Sequence, residues 1–157
     1  MSLTFPDGQP FTSAATAYRY RPATERETVS RIILDVQIEG ITTAAMVDTG
    51  GLYFLCNPRV ATLLRLDTAE AMIGLRSILF RGVSIQGRLY RLNLTLFADE
   101  GDDFTFQTTA FVPEEREEES WGELPCVLGF HGCLERVRFA VDPQTEIFYF
   151  GSTSDSY

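Results

Sequence analysis

The chain has 157 residues, 22 of them acidic and 13 basic, for a formal net charge of −9, and every basic side chain is an arginine. That balance argues against a nucleic-acid or anionic-membrane partner, because phosphate recognition needs clustered cations. Apolar residues make up 45% and aromatic residues 12%, enough for one soluble domain with a sizeable core, and no apolar run approaches the roughly 20 residues of a membrane-spanning helix.

Residues 1–28 are polar and broken by Pro6, Pro10 and Pro22, which predicts a flexible, loosely attached N-terminal arm. Met1 to Pro10 has no basic start and no apolar core, so no secretory signal is expected. Cys56, Cys126 and Cys133 form no metal-type pair, and two of them sit in apolar runs. Reduced core thiols in a cytoplasmic protein follow from that pattern. The single histidine, His131, argues against a His-based metal site and against a Ser-His-Asp triad. No metal and no organic cofactor is expected.

From Ser30 onward, Ile33, Leu34, Val36 and Ile38 read as a strand, Glu39-Gly40 as a tight turn, and Ile41 to Val47 as a second strand. This hairpin delivers Asp48 to a strand end. Leu52 to Cys56 is a short apolar run. Asn57-Pro58 then reads as a helix start, with Asn as the cap and Pro at the first helical position. Val60, Leu63, Leu64 and Leu66 carry helical spacing, so a short helix is predicted over 58–66.

Met72 to Phe80 is mixed. Val83, Ile85 and Leu89 flank Gln86-Gly87, and Gly82 and Gly87 both read as hairpin-turn glycines. Leu92, Leu94 and Leu96 alternate with Arg91, Asn93 and Thr95, the clearest half-buried strand in the chain. Its predicted partner carries Phe104, Phe106, Thr108 and Ala110 beyond an acidic turn. The run Glu114 to Glu119 reads as a solvated loop with Trp121 as its anchoring aromatic. Phe130 to Glu135 reads as one helical turn. Val137, Phe139 and Val141 with Ile147 to Phe150 form a closing hairpin around Asp142-Pro143-Gln144-Thr145. Short strands with one or two short helices predict a mainly β fold, a small barrel-like sheet package.

The chemistry gathers at Asp48-Thr49-Gly50. A carboxylate at the end of a buried strand is costly unless it is hydrogen bonded or shared, so an apolar strand running straight into this tripeptide reads as a chemical site. The order of strand, Asp48-Thr49-Gly50, short strand, helix, glycine-bearing hairpin, Val127-Leu128-Gly129 and closing hairpin resembles the retropepsin-like aspartic proteases over residues 30–151. The resemblance implies a closed, barrel-like acid-protease fold over residues 29–151, followed by a tail at 152–157. It implies Asp48 as the catalytic carboxylate, with Thr49 and Gly50 shaping the site. It also implies that Val127, Leu128 and Gly129 pack behind the motif, and that Arg81, Gly82, Val83 and Ser84 belong to a flap that covers substrate.

Peptide hydrolysis by this route holds one water between two carboxylates, one ionised as base and one protonated as acid. One chain supplies one of them. The resemblance therefore implies a homodimer acting on a peptide or protein substrate. Two positions depart from the family pattern. Gly51 stands where the family usually has Ala or Ser, and Phe130-His131 stands where many retroviral members carry an Arg and a short polar residue. These departures leave a second reading, an inactive or very weak relative used as a peptide-binding or dimerisation module.

Overall fold

A computed structural model describes residues 3–154, and residues 155–157 of the expected tail lie outside them. The alternating segments fold as strands β1 (Ala14–Ala17), β2 (Arg19–Pro22), β3 (Ser30–Ile38), β4 (Ile41–Leu52), β5 (Phe54–Leu55), β6 (Ile73–Phe80), β7 (Val83–Leu96), β8 (Phe104–Pro113), β9 (Cys126–His131), β10 (Val137–Asp142) and β11 (Ile147–Ser152). Two short helices, α1 (Pro58–Leu64) and α2 (Glu118–Trp121), complete the fold, with 3-10 turns between. No helix among the described residues is long and apolar enough to cross a membrane.

One sheet has the order β2-β3-β4-β9-β5-β8-β7-β6, and β3 also pairs with β7, Ile38 lying opposite Leu94. Strands β3, β4, β9, β5, β8 and β7 therefore close into a ring, which removes their edges. A second sheet, β1-β11-β10, packs its apolar side chains against the same interior. Val36, Ile38, Phe54, Leu94, Leu128, Phe148 and Phe150 are fully buried there. Each such side chain contributes about 1.5–3 kcal/mol on leaving water. A second cluster joins the ring to the β6–β7 hairpin through Ile33, Met46, Ile85, Leu89, Phe111 and Trp121.

The alternation along β7 is expressed as expected, with Leu92, Leu94 and Leu96 buried and Arg91 and Asn93 exposed. Two hairpins turn through residue pairs with positive φ, Glu39-Gly40 at 45° and 83° and Arg81-Gly82 at 54° and 82°. Positive φ at both central residues is the twist that matches a two-residue β-hairpin, hence glycine at the second position.

Several segments differ from the sequence reading. Residues 14–22 are not a loose arm: β1 pairs with β11, β2 pairs with β3, and Thr12, Ala14, Ala15 and Tyr18 are buried. Gly87 is not at a turn. It lies inside β7, where an added Cβ would come 2.4 Å from the Val112 carbonyl oxygen and 2.7 Å from the Phe111 ring, so the close crossing of β7 and β8 requires a residue without a side chain. The acidic run is largely solvated, as read, but it is ordered: a 3-10 turn, Glu115–Glu117, leads into α2. The helical turn expected over 130–135 is strand as far as His131, with a 3-10 turn at Leu134–Arg136.

The helix start at Asn57-Pro58 is found as read. Asn57 Oδ1 accepts from the Arg59 N–H at 2.8 Å, and its Nδ2 donates to the Leu124 carbonyl at 2.7 Å. The helix stops at Leu64 because Arg65 turns left-handed at φ 50°. Asn57→Ala removes both bonds and is expected to cost about 1–2 kcal/mol, about 5 °C in melting temperature. Asn57→Asp keeps the capping acceptor and should recover part of that loss in the same melt.

Candidate functional site

Strand β4 runs parallel to β9, with Ala45 opposite Cys126, Met46 opposite Val127, Val47 opposite Leu128 and Asp48 opposite Gly129. The register then shifts, so that Leu52 lies opposite His131. Thr49, Gly50 and Gly51 thus span on β4 what Phe130 alone spans on β9, and they bow out of the ladder. The chain then reverses at Tyr53, whose φ of 62° is a strained, left-handed value for a bulky residue. Such strain costs about 1–3 kcal/mol and persists where its surroundings over-determine it.

Those surroundings are the two bonds that return the chain to β9. The Gly129 N–H donates to the Tyr53 carbonyl at 2.9 Å, and the Tyr53 N–H donates to the His131 carbonyl at 2.7 Å. Strand β5 then runs antiparallel to the other side of β9, Phe54 opposite Leu128 and Leu55 opposite Val127. Val127 and Leu128 are wholly buried behind the loop. Gly129 is a position of close approach: a Cβ there would sit 2.4 Å from the Tyr53 oxygen and 2.8 Å from the Leu52 carbonyl carbon.

Within the loop, Asp48 is half-buried and its Oδ1 accepts from the Gly50 N–H at 3.2 Å. Thr49 and Gly50 are exposed. A Cβ built on Gly50 would meet only Asp48 Oδ1, at 3.6 Å, whereas one on Gly51 would lie 3.3 Å from Asp48 Oδ2. The side chain absent at Gly51 would therefore have lain directly against the carboxylate.

Asp48 opens into a cleft of about 540 Å³, faced on the other side by β6 and the hairpin turn, residues Arg76 to Arg81. Leu55, Leu89 and Phe111 form its apolar floor. Of the residues assigned to the flap, Arg81 lines this cleft and Gly82 completes the turn. Val83 and Ser84 lie on the outgoing strand, are exposed, and do not line it. The residues opposite Asp48 that the sequence reading missed are Arg76 to Phe80 and Tyr53. In the first group half-buried Ile78 and Phe80 alternate with exposed Ser77 and Leu79, but the apolar Leu79 between them hides that alternation in the sequence. Nothing local marks Tyr53.

Other reactive groups do not line this cleft. His131 is exposed and pairs with Glu135 at 3.6 Å. Cys133 is buried and its thiol is pushed up to about 12, which keeps it protonated. Cys56, beside Cys126 and likewise buried, is also raised. A larger concavity, about 730 Å³, lies between residues 5–13 and the closing hairpin around Phe5, Phe11 and Arg138, and takes in no part of the Asp48 loop.

The architecture is similar to a crystal structure of a retropepsin-like aspartic protease from Rickettsia conorii. The TM-score is 0.53 at 16% identity, covering 88% of this chain and 95% of that one. At that identity the likeness shows the fold, and the fold is the closed, mainly β, retropepsin-like one that the sequence order implied. No protein-family model and no curated protein sequence matches the chain.

Proposed function

We propose that two copies of this chain form an aspartic peptidase, with Asp48 of each facing the other across a twofold axis. The observation that carries this reading is an asymmetry in the loop. Asp48 is half-buried at the head of an apolar cleft, while its neighbours Thr49 and Gly50 are exposed and the Thr49 hydroxyl has no partner among the described residues. A hydroxyl and a bare glycine backbone beside a carboxylate, unused by their own chain, leave a surface for a second copy to complete. Leu52 and Phe130, on the two strands that frame the loop, are apolar and exposed, 53% and 43%, and a second copy would cover them.

In the assembled site a water lies between the two carboxylates. The ionised one takes its proton as the oxygen attacks the scissile carbonyl carbon, and the protonated one donates to the carbonyl oxygen. Collapse of the tetrahedral diol breaks the C–N bond: the carboxyl that took the water's proton gives it to the leaving nitrogen, and a diol hydroxyl gives its proton to the other carboxylate as the C=O re-forms, which restores one shared proton. Like charges this close do not both ionise easily, so the two pKa values belong to the pair. The substrate is an extended peptide. Strand β6 is the edge of its sheet and offers unpaired backbone groups along the cleft, which suits pairing with an added strand.

The test couples association to activity. Cleavage of a peptide library from about pH 4 to pH 7 is measured over a range of protein concentrations, with sedimentation on the same samples. The rate per chain is expected to climb with concentration and level off where sedimentation reports the dimer. A chain that stays monomeric at micromolar concentration with and without peptide would count against the reading. A dimer that binds peptide without cleaving it would favour the binding module, to which Gly51 already points by leaving the carboxylate without its usual neighbour.

A further inference from the structure

The β6–β7 hairpin reaches over the cleft as a two-stranded ribbon, and β6 has a neighbour on one side only. Such a ribbon is marginal by itself, so something must hold its tip. Two separate parts of the same chain do so, at adjacent residues. Phe80, the last residue of β6, stacks on Trp121 with ring centroids 4.7 Å apart and planes 27° apart. Trp121 is 2% exposed and fixed by its own Nε1–H, which donates to the Leu124 carbonyl at 2.9 Å. Arg81, the first residue of the turn, pairs with Glu27 in the loop between β2 and β3. Glu27 is partly buried and its carboxylate oxygens are shut off from solvent. One anchor comes from the end of the acidic segment and the other from the N-terminal residues.

We propose that Glu27 and Trp121 are positioning residues for the hairpin tip, holding it from within one subunit in the place where it roofs a bound peptide. The proposal rests on reading the Asp48 cleft as the peptide site. In the anchored position the hairpin neither collapses onto the loop nor leaves it open: a cleft of about 540 Å³ remains between Asp48 and residues 76–81. Loosening an anchor therefore weakens peptide retention more than it slows chemistry, because neither anchor touches the carboxylate loop.

The chain's single tryptophan is one of the two anchors, so its emission reports the contact directly. Glu27→Gln keeps size and removes charge. It is expected to shift Trp121 emission to the red, to speed amide exchange of residues 76–84 by about tenfold over the rest of the chain, and to raise KM by about three- to tenfold with kcat within about twofold. The exchanged pair Glu27→Arg with Arg81→Glu should restore all three. Phe80→Leu, which leaves Glu27 and Arg81 in place, should shift the emission through the other anchor. Unchanged emission and unchanged exchange at 76–84 in Glu27→Gln, or a rise in exchange spread evenly over the whole chain, would overturn the anchoring. Emission and exchange need no activity, so a protein that cleaves nothing yet shows both effects refutes the peptidase reading and leaves the anchoring standing.

Discussion

Asp48→Asn is expected to lower peptide cleavage by about 10²–10⁴-fold, to the limit of detection, while leaving the fold and the association of subunits nearly unchanged. The size of the loss is that of a removed general acid–base group. An amide cannot take up the water's proton, nor supply a carboxylic proton to the carbonyl oxygen, and in a homodimer the substitution strikes both halves of the site at once. The fold should tolerate it because Asp48 meets its own chain at one polar point, where Oδ1 accepts from the Gly50 N–H at 3.2 Å. Asn keeps that acceptor and nearly the same volume. A melting temperature within about 3 °C of the parent, about 1 kcal/mol for a chain of this length, together with lost cleavage, assigns the carboxylate to chemistry. Cleavage that survives the substitution in purified protein would assign the activity to something else. A large loss of stability would make Asp48 a structural residue of the strand end.

The strand framework was legible because its signal is local. On β7 the leucines alternate with polar residues, and the two-residue turns at Glu39-Gly40 and Arg81-Gly82 need only glycine at the second position. That Val127-Leu128-Gly129 lies behind Asp48 came only from the resemblance to the retropepsin-like proteases, because no local pattern pairs the two runs that the structure sets side by side, Asp48 opposite Gly129. What was not legible depends on partners distant in sequence. Ala14 to Ala17 are a strand because β11 lies beside them, Ala14 opposite Phe150. Arg19, Tyr20 and Arg21 look like a polar arm because β2 is an edge strand with its side chains in water. Gly87 read as a turn because no local pattern reveals the Val112 carbonyl that crosses it. The left-handed Tyr53 is imposed by β9 on both sides of the loop, and the acidic run is ordered by Trp121 finding Phe80. In each case tertiary contact overrides local propensity.

Gly129→Ala carries the other large effect, and it separates glycines that build the site from glycines that present it. An added Cβ at 129 would lie 2.4 Å from the Tyr53 oxygen, 2.8 Å from the Leu52 carbonyl carbon and 2.9 Å from the Leu52 oxygen, all backbone atoms that no rotamer change can move. Either β9 or the Leu52-Tyr53 segment must shift by about 1 Å to reach ordinary contact. The shift strains the 2.9 Å bond from the Gly129 N–H to Tyr53 and the left-handed turn that bond supports. Overpacking of about 1–3 kcal/mol plus about 1 kcal/mol for the weakened bond gives about 3 kcal/mol, or about 10 °C in melting temperature. Because Leu52 follows directly on the bowed loop, cleavage should fall even in the fraction that stays folded. Gly50→Ala is the contrast. Its Cβ would meet only Asp48 Oδ1 at 3.6 Å within the chain, so stability should change by less than about 1 kcal/mol. If Gly50→Ala nonetheless abolishes both association and cleavage while Gly129→Ala chiefly lowers the melting temperature, Gly50 is kept bare for what docks on the loop and Gly129 for what lies behind it. Equal destabilisation by the two would mean that both glycines serve the fold alone.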